Sequence, residues 1–126
     1  MANTSQILLP SQVRSASVQT GEQVNSSWRG VILFLVVTVA PAQTLTLQIE
    51  AKDPAAGTWA PLSAFPAAIA SFVGTKLYTL YPGAVETGAL ADMEVMGIPL
   101  PQRWRANITH GGAGNFTYSL GAHLIL

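Results

Sequence analysis

Residues 44–52 alternate strictly between polar and apolar side chains, with Leu45, Leu47 and Ile49 at every second position. A helix would spread these side chains around its circumference, whereas an extended strand places them on one face. The segment therefore predicts a strand with one buried and one exposed face. It ends at residues 53–57, where proline presets φ and glycine can adopt the left-handed conformation of a turn.

Short extended segments recur along the chain and are separated by glycine and proline. Residues 31–40 are apolar and rich in β-branched side chains, which is typical of a strand buried on both faces or central in a packed sheet. Pro61 restricts residues 58–62 to a short or edge strand. Further strands are predicted over residues 76–81, 102–109 and 116–126. About six to eight such strands without a convincing helix predict one all-β domain, an antiparallel β-sandwich or jelly roll.

The last two predicted strands are expected to form a hairpin around residues 111–115. Side chains of like polarity should share a face, because a slip of one residue inverts every side chain. The register that satisfies this rule pairs Ile108 with Tyr118, Ala106 with Leu120, Trp104 with Ala122, Arg105 with Gly121 and Arg103 with His123. Trp104 is then expected in the core, and the two arginines on the outer face.

Two stretches lack a clear pattern. Residues 63–71 are rich in alanine and are expected to form a loop, because Pro66 opposes a helix. Residues 84–101 contain several glycines and prolines and predict a long surface connection. Asp92 and Glu94 lie in this connection and are expected to be exposed, rather than to form a buried acid–base pair.

Few of the side chains carry charge. Charged residues make up 10% of the chain, against about 25% in typical domains, and hydrophobic residues make up 49%. Six basic and six acidic side chains cancel. Without a basic surplus no nucleic-acid partner is expected, and the hydrophobic content excludes a disordered chain. A weakly charged surface favours contact with other protein molecules, although a neutral soluble domain explains the same composition.

The sequence predicts neither secretion nor a membrane partner. The first residues carry no positive charge and no apolar run of the kind that begins a signal peptide. The most apolar segment, residues 31–40, is too short for a membrane-spanning helix, which needs about 20 residues. We therefore expect a protein that is made in the cytoplasm without a signal peptide.

No arrangement of residues in the sequence indicates catalysis. The chain has no cysteine, which excludes thiol nucleophiles and thiolate metal sites. His110 and His123 are far apart in the sequence and are expected to be solvated surface residues. Residues 111–114 are rich in glycine, but a strand follows them, whereas a phosphate-binding loop requires a helix. We expect no enzyme activity, no cofactor and no metal.

Three residues of the predicted outer surface are candidates for a protein interface. Trp59 lies on a short edge strand and is the aromatic residue best placed to contact a partner or a carbohydrate. Arg103 and Arg105 share one strand face and predict a small positive stripe suited to ion pairs across an interface. A solvated face without a partner explains the two arginines equally well.

The N-terminal segment, residues 1–27, supplies three further candidates. It is rich in polar residues and contains one aliphatic cluster, Ile7-Leu8-Leu9. Three consecutive aliphatic side chains are not expected to stay in water. Either they add an edge strand to the chain's own sandwich, or they belong to an arm that reaches a neighbouring molecule. Residues 28–126 are expected to form the β-sandwich domain.

Several short motifs that follow the N-terminal segment point to one family. The motifs are Trp28-Arg29-Gly30-Val31-Ile32-Leu33, Leu45-Thr46-Leu47-Gln48-Ile49-Glu50-Ala51-Lys52-Asp53-Pro54, Leu80-Tyr81-Pro82-Gly83, Leu100-Pro101-Gln102-Arg103-Trp104-Arg105-Ala106 and Tyr118-Ser119-Leu120-Gly121-Ala122. Together they resemble a family of small tailed-bacteriophage proteins. The resemblance implies a virion structural component, most similar to a capsid decoration (cement) protein, with a β-sandwich or jelly-roll fold and no enzyme activity. It identifies no binding residues.

The resemblance also implies partners and a location. A decoration protein binds the major capsid protein and itself, as a homodimer or homotrimer, on the capsid exterior of the virion, where it stabilises contacts between major capsid proteins. A tail or baseplate β-sandwich that binds a receptor or a carbohydrate through Trp59 is the alternative. Copy number separates the two, because decoration proteins are far more numerous in a particle than tail proteins. A small enzyme ranks last, because the chain lacks a nucleophile–base pair.

Overall fold

The computed structural model describes residues 2–62, 69–85 and 92–126, which contain β-strands and no helix. The strands are β1 (Thr4–Arg14), β2 (Val18–Gln19), β3 (Gln23–Val24), β4 (Gly30–Val39), β5 (Thr44–Lys52), β6 (Trp59–Pro61), β7 (Ile69–Ala70), β8 (Gly74–Leu80), β9 (Met93–Met96), β10 (Arg103–His110) and β11 (Phe116–Ile125). These described strands form a five-stranded and a six-stranded sheet that enclose one core. The predicted all-β sandwich is confirmed.

The apolar segment after Gly30 forms β4, in the middle of the five-stranded sheet. The strand order in this sheet is β1-β11-β4-β8-β9, and β4 pairs antiparallel with both of its neighbours. Val31, Leu33 and Leu35 point inward and are fully buried, whereas Phe34 on the opposite face is 37% exposed. The strand is central, as predicted, but only one of its faces is buried.

Strand β5 lies inside the six-stranded sheet, where it pairs with β10 on one side and with β6 on the other. The strand order is β2-β10-β5-β6, with β3 also pairing with β10 and β7 with β5. Leu45, Leu47 and Ile49 are at most 2% exposed. The alternation in the sequence therefore identifies the buried face of this strand correctly.

The inner faces of both sheets meet in one hydrophobic core. Strand β10 contributes Trp104, Ala106 and Ile108, and β11 contributes Tyr118 and Leu120, all of them at most 1% exposed. These are the side chains that the alternation predicts to point inward. Burial of large apolar side chains is the dominant favourable contribution to folding, so this layer stabilises the sandwich.

The predicted hairpin between the last two strands is wrong. Strand β10 pairs with β2, β3 and β5, whereas β11 pairs with β1 and β4 in the other sheet. Trp104 and Arg105 of β10 lie opposite Ala51 and Glu50 of β5. Arg103 lies opposite Val24 of β3. Alternation identifies the buried face of a strand but not its neighbour. Two strands that face each other across a core show the same pattern as two strands that pair edge to edge.

Residues 111–114 cross from one sheet to the other beside the connection between β4 and β5. The Gly114 amide donates to Gln43 Oε1 at 2.8 Å, and the Gly111 amide donates to the Thr44 carbonyl at 2.8 Å. A Cβ at position 111 would lie 2.1 Å from Thr44 Oγ1. Glycine is required here because two connections touch, and not because a hairpin turns tightly.

The stretch predicted as a long surface connection contains a strand. Strand β9 pairs parallel with β8 at the edge of the five-stranded sheet. Glu94 lies on this strand, so the expectation that it is an exposed loop residue is wrong. Residues 63–68 and 86–91 lie outside the described residues. Of the predicted loop over residues 63–71 only the last part is described, and there Ile69–Ala70 form strand β7, which pairs with β5, so the loop prediction is wrong for these two residues.

Introduced disulfides can test the strand pairing, because the chain has no cysteine. Asn107 lies opposite Gln48 in the pairing of β10 with β5. Opposed residues in an antiparallel pair are about 4.5–5.5 Å apart between Cα atoms, within the range of a disulfide. We expect Asn107→Cys with Gln48→Cys to oxidise readily. Asn107→Cys with Ser119→Cys, which the hairpin would pair, should keep two thiols on non-reducing gels; the reverse result would contradict the topology.

The two faces of β10 should differ in their effect on stability. Trp104 is 1% exposed, so Trp104→Ala should lower the free energy of unfolding by about 3–5 kcal/mol through lost burial and a cavity. Arg103→Ala removes an ion pair with Glu22 in which the arginine side chain is 48% exposed, and should cost less than about 1 kcal/mol. Urea titration of both variants measures the difference. Equal losses would show that the inward and outward faces are assigned wrongly.

Candidate interface surfaces

The structure divides the six candidate interface residues between the two sheets of the sandwich. Trp59, Arg103 and Arg105 belong to the six-stranded sheet, and Ile7, Leu8 and Leu9 belong to β1 of the five-stranded sheet. We call the first surface the charged face; it consists of Glu22, Glu50, Lys52, Trp59, Arg103 and Arg105. We call the second the uncharged face; it consists of Ser5, Ile7, Ile32, Phe34, Leu77, Thr79, Met93, Val95, Gly121 and His123.

On the charged face, Arg105 lies between a carboxylate and an aromatic ring. Its Nε donates to Glu50 Oε1 at 2.7 Å, and its guanidinium carbon lies 4.3 Å from the centre of the Trp59 ring. Glu50 is 9% exposed, which shields this ion pair from solvent and salt. The planar guanidinium suits both contacts, because it can donate in its plane and stack on an aromatic face.

Glu22 joins the second arginine to Lys52. Its Oε1 accepts a hydrogen bond from Lys52 Nζ at 2.7 Å, and its Oε2 accepts one from Arg103 Nη1. The hydrogen bonds from Lys52 and then from Arg103 hold the pKa of Glu22 below its ordinary value, because they favour the charged carboxylate. Glu22 lies between β2 and β3, so it ties that connection to β5 and β10.

The charged face is therefore not the free positive stripe that the sequence predicts. Arg103 and Arg105 are each paired with a carboxylate of the same chain, and Arg105 covers one side of the Trp59 ring. Sequence reasoning missed the partners Glu22 and Glu50. The alternation of residues 44–52 places Glu50 on the outer face and could have revealed one of them. The face presents ordered polar groups whose charges are largely compensated.

A groove adjoins the charged face. It lies between the turn at residues 53–57 and residues 101–103, and has a volume of about 590 Å³. Lys52 and Arg103 line it, and both are paired with Glu22. The groove can accept a polar surface, but its two cations are already engaged.

The three consecutive aliphatic residues of β1 occupy different environments. Leu9 is 8% exposed and belongs to the core, Leu8 packs partly against the core, and Ile7 is 78% exposed. The register places Ile7 opposite Gly121 and Leu9 opposite Leu120, so one extra residue of β1 lies between them. This β-bulge turns Leu9 inward and leaves Ile7 outside. Strand β1 is an edge strand, and Ile7 is the residue of the cluster best placed to meet a partner.

One row of the uncharged face is apolar across the full width of the five-stranded sheet, and the neighbouring row contains apolar and polar side chains. In one row of paired residues the order is Ile7, Gly121, Phe34, Leu77 and Met93, and in the next row it is Ser5, His123, Ile32, Thr79 and Val95. His123 is the titratable residue among these ten. Lys76 and Glu94 occupy the intervening, inward positions and form an ion pair at 3.5 Å.

Gly121 leaves a depression in the uncharged face. The depression has a volume of about 270 Å³, and Ile7 and Phe34 are among its lining residues. A Cβ at position 121 would lie 3.9 Å from the Gln6 carbonyl oxygen and 4.0 Å from Phe34 Cβ, which is ordinary contact. The fold therefore does not require glycine at this position. Sequence reasoning missed Phe34 and Gly121, although alternation within residues 31–40 could have placed Phe34 outside.

His110 is not the solvated surface residue that the sequence predicts. Its Nε2 lies 2.8 Å from the hydroxyl of Tyr118, and its ring meets Phe116 edge to face at 5.1 Å between centroids. Burial, and then the charge of Arg14, lower the pKa of His110. Burial also raises the pKa of Tyr118 to about 12. These contacts link β10 to β11 across the end of the sandwich.

The described residues form no group of three or more histidine, cysteine, aspartate or glutamate side chains that could hold a metal ion. Glu94 pairs with Lys76, whereas Asp92 is exposed, so the two carboxylates do not act as a shared pair. No helix suited to crossing a membrane occurs in the described part of the chain.

Comparison with known proteins supports the fold. No family model matches the chain, and no curated protein matches it. A chain in the structure of infectious bursal disease virus, Gx strain, matches with a TM-score of 0.52 and 12% sequence identity. The match covers 98% of this chain and 32% of the viral chain, so this chain spans about a third of its neighbour's length. At this identity the similarity shows a shared fold.

The depressed pKa of His110 should make stability fall on acidification. The unfolded state binds more protons than the folded state as the pH drops below the ordinary histidine pKa of about 6.5, so the stabilisation present above that pH is lost. We expect His110→Gln to reduce the fall in Tm between pH 7.5 and pH 5. His123→Gln, the matched control, leaves His110 in place and should retain the fall. An unchanged pH dependence in His110→Gln would contradict this assignment.

Proposed function

We propose that the protein is a virion structural protein, a decoration (cement) protein that binds the outside of a tailed-bacteriophage head and stabilises contacts between major capsid proteins. The observation that carries the proposal is the uncharged face. One row of this face is apolar across the whole sheet, and its ten residues include no lysine, arginine, aspartate or glutamate. Soluble monomers rarely expose large continuous apolar patches, and such patches mark sites of contact with other proteins.

Two similarities support a virion location. The motifs between Trp28 and Leu126 resemble small tailed-bacteriophage proteins, and the fold is similar to part of a chain in a virus structure. The proposed partners are the major capsid protein and further copies of this chain. A nucleic-acid partner is not proposed, because six basic and six acidic side chains leave no positive surplus.

The two faces suit different contacts. An apolar surface without charge gains free energy from burial, at about 25 cal/mol per Å² of apolar area removed from water. The ordered polar groups of the charged face, Trp59, Arg103 and Arg105 among them, suit a hydrogen-bonded contact with the capsid protein. An oligomer that binds through several equivalent charged faces gains avidity, so a weak single contact is sufficient.

The alternative role, a tail or baseplate protein that binds a receptor or a carbohydrate, depends on Trp59. A sugar ring stacks on an open aromatic face, and Arg105 lies 4.3 Å over this ring. Sugar binding on that side would have to displace a guanidinium that is also paired with Glu50. The structure therefore favours the decoration role.

Quantitative mass spectrometry of purified virions of the phage that encodes the chain tests the proposal. We expect the chain in a copy number comparable to that of the capsid's repeating units, and heads that lack it should release DNA at a lower temperature. Restoring the gene on a plasmid is the control. A few copies per virion would indicate the tail role, and absence from the virion would contradict a structural role.

A further inference from the structure

We infer that the uncharged face is the surface on which two copies of this chain form a twofold-symmetric dimer, sheet against sheet, with Phe34 at the symmetry axis. The inference rests on the proposed function, which includes further copies of this chain as partners. It adds the surface through which these copies bind each other. Its test uses purified protein, so its outcome is independent of capsid binding.

The order of side chains across the sheet is self-complementary. The central row is Ile7, Gly121, Phe34, Leu77 and Met93. A twofold axis along β4 reverses this row in the second copy. Phe34 then meets Phe34 of the second copy, Leu77 lies over the depression at Gly121, and Ile7 meets Met93. Leu77 of each copy thus faces the smallest residue of the row, as in sheets that pack with interdigitated side chains, and the remaining contacts join apolar side chains.

The depression is large enough for this contact. Its volume of about 270 Å³ exceeds the roughly 150 Å³ of an apolar cavity that holds a benzene molecule, so a leucine side chain can enter it. In one copy, Gly121 and Leu77 are separated by the intervening strand β4. Neighbouring strands are about 4.8 Å apart, so the two positions are about 10 Å apart and do not touch within one chain.

The charge on the face also favours a second copy. The ten residues of the uncharged face include no lysine, arginine, aspartate or glutamate, so two copies can approach without repulsion between like charges. A charged partner would leave its own charges unpaired against this surface, which is costly. The surface of another copy is uncharged in the same way.

The outer side of the five-stranded sheet has enough area for a small dimer interface. About the proposed axis β4 overlaps with β4 of the second copy over its ten residues, and the seven residues of β8 and the four of β9 limit the overlap with β11 and β1. At about 4.8 Å between strands and about 3.4 Å per residue, this gives a flat area of roughly 520 Å² per copy. Two copies together bury about 1,000 Å², which is the lower limit for a specific interface.

Sedimentation velocity of the wild type and of charge variants, at protein concentrations of about 5–500 µM, tests the inference. We expect a monomer–dimer equilibrium. Phe34→Glu brings two carboxylates together at the axis, and Ile7→Glu adds one at a position that is 78% exposed in the monomer. Each should raise the dissociation constant at least tenfold. Val24→Glu, at a position of the other sheet that is 57% exposed, is the matched control and should have no effect.

A swap of side-chain size tests the contact between Gly121 and Leu77. Gly121→Val should weaken the dimer at least tenfold, although it makes the face more apolar, because it fills the depression. Leu77→Ala in the same chain should restore part of the affinity. Gly121 and Leu77 are about 10 Å apart but share Phe34 as a neighbour, so thermal melting of both single variants and of the double variant is the control. If their effects on stability add within one chain, rescue of association reports on contact between copies.

Several results would overturn the inference. If the wild type stays monomeric at the highest concentration, the uncharged face does not bind a second copy and must serve a different partner. If the wild type forms a trimer, the twofold axis is wrong. Equal weakening by Val24→Glu would show that dimers use another surface. If Gly121→Val binds as tightly as the wild type, association depends on general apolarity and not on the proposed fit. Each of these results leaves the copy number in virions unaffected.

Discussion

The connection between β10 and β11 crosses from one sheet to the other, and the difference between the two outer faces depends on this crossing. A hairpin would have placed Arg105 beside Gly121 on one surface. The crossing instead places Arg105 opposite Glu50 and leaves Gly121 between Ile7 and Phe34. Hydrogen bonds of the glycine-rich connection to the turn before β5, and the contact between His110 and Tyr118, hold the crossing in place.

Alternation in the sequence predicts which side chains are buried, but it does not predict which strands are neighbours. Trp104 and Tyr118 lie in the core as predicted, because an inward position depends only on the period of the strand. Their strands lie in different sheets, because pairing depends on contacts between distant parts of the chain. Strand β9 was not predicted from the sequence. Its four residues are too few to show the two-residue alternation of a strand, and glycines and prolines surround them.

The candidate interface was predictable in part. Trp59, Arg103 and Arg105 were identified by residue type, but their ion pairs with Glu22 and Glu50 depend on the strand pairing that the sequence left open. Ile7 points to the outer face and Leu9 into the core because of a β-bulge, which no local sequence pattern predicts. Five of the twelve charged residues gather on the charged face, and Lys76 and Glu94 pair in the interior. Because the charged residues lie elsewhere, the uncharged face contains none of them.

An assembly protein with two such faces should bury the apolar one. Hydroxyl-radical footprinting measures this directly, because it reports the solvent accessibility of individual side chains by mass spectrometry. The dilute protein and the intact virion should be compared at Phe34, Leu77 and Met93, with Val73 as a reference that is 60% exposed and lies in the connection between β7 and β8. The account predicts that the first three lose reactivity in the virion and that Val73 changes less. Equal reactivity of Phe34, Leu77 and Met93 in both samples would show that the uncharged face stays open to solvent, and would contradict the account.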